Sequence, residues 1–163
     1  MRTTLAILTL SCALSLPAAE PHFGVQGALS VPVNDLSSNA YVGVQAGAHG
    51  RWDFGRGHGL MVRGDMTLYA QNGGTSVSDL AASADYTYHL ERRPTGLYLL
   101  AGLSQDAYHT SYSSYSRSDS GLGVDLGAGF DLDHHMGVQA RYVTHSYSGL
   151  TYSALNLGVT YTF

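Results

Sequence analysis

The chain has 163 residues, only 12% of them charged, with a net charge of −4 and a pI near 6.0. That is one domain's length. The acidic balance excludes the basic face of a nucleic-acid binder, and the 44% apolar share excludes a disordered chain.

Residues 1–19 read MRTTLAILTLSCALSLPAA. Arg2 supplies a short positive start, Leu5 to Leu16 an apolar stretch, and Ala18 and Ala19 the small residues of a cleavage site. This is the pattern of a secretory signal peptide. Pro17 leaves the cut uncertain by a few residues, with Ser15 and Ala18 as alternative ends. Cys12 opens a second reading, a lipoprotein cut, but Thr9-Leu10-Ser11 is a poor lipobox. Cys12 is the sole cysteine, so a processed chain has neither disulfides nor thiolate chemistry. No other stretch is long and apolar enough for a membrane-spanning helix.

Residues 20–163 alternate apolar and polar side chains with a period of two, which places neighbours on opposite faces of a strand. Eight runs are predicted, at 22–31, 41–54, 59–71, 78–90, 96–108, 119–132, 136–146 and 153–163. Short connections at 55–58, 91–95 and 133–135 alternate with long ones at 32–40, 72–77, 109–118 and 147–152. Tight turns at one end and longer loops at the other are the layout of an outer-membrane barrel. One face of every run is apolar and uncharged, from Val42, Val44, Ala46 and Ala48 to Leu155, Leu157, Val159 and Tyr161. The other carries Gln45, His49, Arg51, Asp53, Asp79, His89, Asp106, Asp131, Gln139 and many glycines. A soluble barrel would show mixed Lys and Glu outside, yet the polar face has neither in its strand cores. Arginine facing lipid costs up to about 2–4 kcal/mol at the midplane. The charges therefore belong inside. The predicted fold is all-β: an eight-stranded, antiparallel, up-and-down transmembrane barrel with an apolar exterior and a polar lumen.

Phe23, Trp52, Phe54, Tyr86, Tyr88, Phe130, Tyr161 and Phe163 fall on the apolar face, at the end where both termini and the short turns lie. They are predicted to form a periplasmic aromatic girdle.

The C-terminal run Leu155-Asn156-Leu157-Gly158-Val159-Thr160-Tyr161-Thr162-Phe163 resembles the β-signal that ends outer-membrane barrels. The segment from Gly121 to Leu132 is similar to the penultimate hairpin of OmpA-like and OmpX-like barrels. The resemblance covers residues 20–163. It implies export by the general secretory route, residence in the bacterial outer membrane among its lipids, and insertion by the barrel-assembly machinery through the last strand. No OmpA-type peptidoglycan-binding domain is expected after Phe163.

Buried charges must pair. Asp125 and Arg141 point inward on neighbouring strands and are predicted to meet; Arg63, Asp65 and Asp85 form a second predicted cluster. In eight strands such groups fill the interior rather than line a pore. The chain looks similar in size to the small outer-membrane lipid A deacylases, and that resemblance implies a His and a Ser two residues apart on one strand face, with an acidic residue. Here Tyr147 follows His145 at that spacing and Ser146 points the other way, so no nucleophile shares the reach of a base. His134 and His135 are adjacent turn residues that diverge, and no metal or other cofactor is expected. The stretch from Tyr108 to Ser120 alternates Tyr with Ser and Thr, a composition that suits adaptable contacts. Tyr108, Tyr112, Tyr115, Tyr147 and Tyr152 are the candidate extracellular contact residues for a surface glycan or protein. The expected role is structural or adhesion-like at the cell surface, with passage of small solutes as the runner-up.

Overall fold

Strands with one apolar and one polar face leave unpaired backbone at every edge, and closing the sheet on itself removes those edges. The computed structural model shows this solution. It describes residues 19–71, 74–93, 95–112, 115–147 and 150–163. Eight antiparallel strands follow in chain order: β1 (Pro21–Asn34), β2 (Ala40–Gly55), β3 (His58–Gln71), β4 (Thr75–His89), β5 (Gly96–Tyr112), β6 (Tyr115–Asp131), β7 (Met136–Tyr147) and β8 (Leu150–Thr162). Each pairs with its neighbours, and β1 closes on β8 from Gly24↔Thr162 to Asn34↔Tyr152.

All eight predicted strands are present. Their ends differ at the mouth opposite the short turns, where the long connections of the sequence reading are largely strand. β5 and β6 stay paired out to Tyr112↔Tyr115, and β7 and β8 out to Tyr147↔Leu150. The alternating Tyr, Ser and Thr of 108–120 suit a solvated ladder, and the ladder continues wherever both strands keep donors and acceptors in register.

The expected faces are also those observed. Val44, Leu80, Leu103, Leu122 and Leu126 stand on the outer wall, while Arg63, Asp85, Asp125 and Arg141 are buried in the lumen. Apolar residues also enter the lumen: Met61, Leu100 and Tyr98 share the inward parity and are buried there. Gly129 makes room for one of them, since the Tyr98 ring occupies the place a β-carbon would take.

At the turn end, Gly55, Arg56 and Gly57 all take positive φ (83°, 56° and 84°), which closes the β2–β3 hairpin tightly. The next hairpin leans on it: His89 N–H donates to Gly57 O at 2.8 Å, and Arg92 N–H to His89 O at 3.0 Å. In the third turn the Asp133 carboxylate accepts the His135 and Met136 N–H groups, each at 2.7 Å. Those two bonds hold its carboxyl below the usual carboxylate range.

At the opposite mouth the β1–β2 connection folds inward as a short 3-10 turn, Asp35–Ser38. It carries Leu36 into the barrel, 1% exposed, against Ala40, Tyr69, Val77, Tyr108 and Ala154. The Asp35 carboxylate accepts the Thr151 N–H at 2.7 Å and ties this stopper to β8.

Candidate functional site

An eight-stranded barrel is narrow enough for side chains from opposite walls to touch. Arg141 on β7 therefore reaches across to β3 and β2, donating from Nη2 to Asp65 Oδ2 at 2.9 Å and to Gln45 Oε1 at 3.2 Å. Its Nη1 lies 3.4 Å from Asp125 Oδ2 on the adjacent strand. Arg63 on β3 bonds Asp85 on β4, donates to Ser83 Oγ at 3.3 Å and to Gln139 Oε1 at 3.2 Å, and lies 3.7 Å from Asp125. Gln26 joins the halves: its amide donates to Asp65, and its carbonyl accepts from Gln139 at 3.3 Å.

The structure thus brings Arg63, Asp65, Asp85, Asp125 and Arg141 together in one network: Arg141 meets Asp125 and Arg63 meets Asp85 as expected, and the placing of Asp65 differs. Asp65 belongs to Arg141 rather than to Arg63, although Arg63 and Asp65 are two residues apart on β3. Side chains two apart on a strand project side by side, so each finds its partner on another wall. Gln26 was missed, although it shares the inward parity of its strand and sits between Val25 and Gly27.

A second cluster, not grouped by the sequence reading, lies toward the turn end. Arg51 Nη1 donates to Asp131 Oδ2 at 2.8 Å and Nη2 to His89 Nε2 at 2.6 Å. The guanidinium also lies over the Tyr98 ring, 5.6 Å from its centroid, within cation–π range. A void beside the central network, lined by Asp79, Ser104, Asp106 and Asn156 among others, measures about 10 Å³. That is about the least that admits one water.

His145 faces this interior, its Nδ1 3.8 Å from Asp106 Oδ2 and its ring 4.7 Å from that of Tyr108. The Leu36 stopper lies between this level and the outside. His135 Nδ1 donates to the Thr162 carbonyl at 2.9 Å. Among the described residues, no three of His, Cys, Asp or Glu are grouped to hold a metal ion.

The aromatic residues of the predicted girdle share the turn end. Register places Trp52 beside Pro21 and Leu60, Leu60 beside Tyr86, Phe130 beside Leu97, and Tyr161 beside Met136. Phe23, Tyr86, Phe130, Tyr161 and Phe163 are exposed on the outer wall, and Trp52, Phe54 and Tyr88 are half-buried.

The predicted contact tyrosines divide. Tyr115 projects from the β5–β6 hairpin and is 66% exposed. Tyr108 is 5% exposed, which corrects its assignment as a surface contact. It shares the inward parity of Ser104 and Asp106, and its ring packs 5.3 Å from half-buried Tyr152 beneath the stopper. The side chains of Tyr112 and Tyr147 lie outside the described residues. A cavity of about 170 Å³ opens between the hairpin and the stopper, lined by Leu36, Val77, Tyr115, Arg117, Asp119 and Tyr152 among others.

A closed barrel with an apolar outer wall and an ion-paired interior is an integral outer-membrane barrel, since only a closed sheet satisfies its backbone in lipid. The chain belongs to the outer membrane protein beta-barrel domain family, whose model matches residues 3–163. Its place is the bacterial outer membrane. Among solved structures it is similar to Ail, the attachment invasion locus protein of Yersinia pestis, with 19% identity and a TM-score of 0.62 over 89% of this chain and 99% of that one. Neisserial surface protein A is similar at 17% identity and a TM-score of 0.57, over 88% and 97%. The N-terminal barrel of Pseudomonas aeruginosa OprF follows at 16% and 0.55, over 88% and 100%. Ail has also been solved in complex with the heparin analogue sucrose octasulfate. No curated protein sequence matches the chain.

Proposed function

We propose that this protein is a surface-contact barrel, which displays the β5–β6 hairpin to other surfaces and neither conducts solutes nor catalyses a reaction. The carrying observation is the reach of that hairpin, paired to Tyr112↔Tyr115, with Tyr115 and Arg117 exposed. Tyrosine and arginine contribute most per residue at binding surfaces, and serine and threonine adapt their hydrogen bonds to the partner. Two plugs support the non-conducting part: the ion-paired network at mid-height and the apolar stopper above it. Burial of His145 beneath that stopper supports the non-catalytic part.

The chemistry of the contact differs from the polysulfated ligand seen with Ail. Arg117 stands at this mouth with Asp119 2.8 Å from its Nε, while the other arginines of the strands and turns lie in the lumen or at the turn end. A neutral glycan or a protein surface fits a rim of tyrosine and hydroxyl side chains better than a polyanion does. We further propose that residues 1–19 direct export and are removed, that the last strand engages the barrel-assembly machinery, and that the girdle aromatics hold the barrel at the lipid interface.

The test replaces Tyr112, Tyr115 and Arg117 together by serine and measures adhesion of cells displaying the protein to glycan- and matrix-coated surfaces. Adhesion above that of cells lacking the protein, falling at least fivefold in the variant, is the expected result. Unchanged adhesion in a folded variant contradicts the proposal.

A further inference from the structure

The arginines are unevenly placed around the barrel. Three of them, Arg56, Arg92 and Arg93, are exposed on two adjacent turns of the periplasmic end, against one exposed acid in the same turns, Glu91. The third periplasmic turn carries Asp133 and two histidines instead. The two arginine-bearing turns are fixed to one another by the His89–Gly57 backbone bond, and Gly57 abuts the backbone of Arg92. Between them opens a groove of about 210 Å³, lined by Asp53, Arg56, Gly57, His58, His89 and Arg92. Its carboxylate is already engaged, since Asp53 Oδ1 lies 3.4 Å from Arg51 Nε. The Glu91 carboxyl folds toward Gly96 rather than into the groove.

The groove lies at the turn end, beside aromatic residues of the outer wall. Trp52 and Phe54 directly precede the first turn, His58 bonds the Tyr86 hydroxyl, and its ring is 5.1 Å from that of Tyr88. Aromatic side chains settle at the headgroup layer, which puts Arg56 and Arg92 where phosphates are. Arginine recognises phosphate through two parallel N–H donors, and attraction to anionic headgroups acts within a Debye length of the surface.

We propose that this groove is a headgroup site, in which Arg56 and Arg92 hold the phosphate of an anionic glycerophospholipid of the periplasmic leaflet while its chains lie along the wall beside Trp52. Arg93 adds attraction without lining the groove. The site gives the barrel one preferred lipid on one side.

Trp52 is the only tryptophan in the chain and stands next to the groove, so its fluorescence reports the neighbouring lipid. The folded protein is reconstituted in phosphatidylcholine bilayers containing increasing fractions of brominated phosphatidylglycerol or brominated phosphatidylcholine. The brominated anionic lipid is expected to quench as though bound roughly fivefold more tightly than its zwitterionic counterpart. In R56Q/R92Q the preference falls to parity while gel mobility before and after boiling stays that of the wild type. Should the double variant fail to fold, the wild type in about 1 M salt serves in its place, where screening shortens to about 3 Å, and parity is again expected. Equal quenching by both lipids in the wild type at low salt overturns the proposal, as does a preference that survives both the substitutions and the salt. Retention of peptidoglycan fragments by the two arginines without any lipid preference gives the groove to the cell wall, which also overturns it.

Discussion

Arg63→Met is expected to lower the unfolding free energy by about 3–5 kcal/mol, the cost of leaving a buried charge without its partner. Arg63 and Asp85 both have side chains with 0% exposure, and removing the guanidinium also strips Asp125 of a contact at 3.7 Å and Gln139 of a donor. Urea titration in lipid vesicles, followed by Trp52 emission, measures the loss. Adding Asp85→Asn should recover part of it, because a neutral amide is cheaper to bury than a carboxylate. Recovery stays incomplete, since Asp125 remains short of one cation. A loss below about 1 kcal/mol, as for a solvent-exposed pair, would mean that water fills the lumen.

The outer wall gives the second large effect. Leu126 stands at mid-height on β6, beside Ala101 and Tyr142, with its side chain exposed. Leu126→Arg is expected to cost about 2–4 kcal/mol, as at a bilayer midplane. The same substitution at Leu132, exposed in the turn after β6, is expected to cost about 0–1 kcal/mol, as near the interface. The gradient is the informative quantity, because only a solvent that changes with depth produces it. Two equal costs in the same vesicle titration would argue that both positions see one environment.

The sequence disclosed the fold so fully because lipid and lumen impose opposite demands at every second residue. A single parity per strand decides where Val44, Leu80 or Asp125 points, and no propensity argument is needed. The same rule also places Tyr108 inside, two residues beyond Asp106; reading its neighbourhood as a loop obscured that. Pairing inside the lumen was less legible. Asp65 and Arg63 share a strand, yet their partners come from β7 and β4, and which walls meet depends on register and strand tilt rather than local spacing. The stopper was hidden for another reason. Leu36 is one apolar residue in a polar connection, and its burial depends on Asp35 finding the Thr151 N–H across the mouth.

The apolar outer wall meets acyl chains, and lipid access at that wall tests this most directly. Cys12 is the sole cysteine and lies in the expected leader, so single cysteines at Val44, Leu80 and Leu157 can carry a nitroxide label without interference. All three are exposed on the outer wall. In reconstituted bilayers, relaxation of each label by oxygen should exceed relaxation by a water-soluble nickel chelate, because oxygen concentrates among acyl chains and the chelate is excluded from them. Stronger relaxation by the nickel chelate at all three positions would place that wall in water and contradict the account.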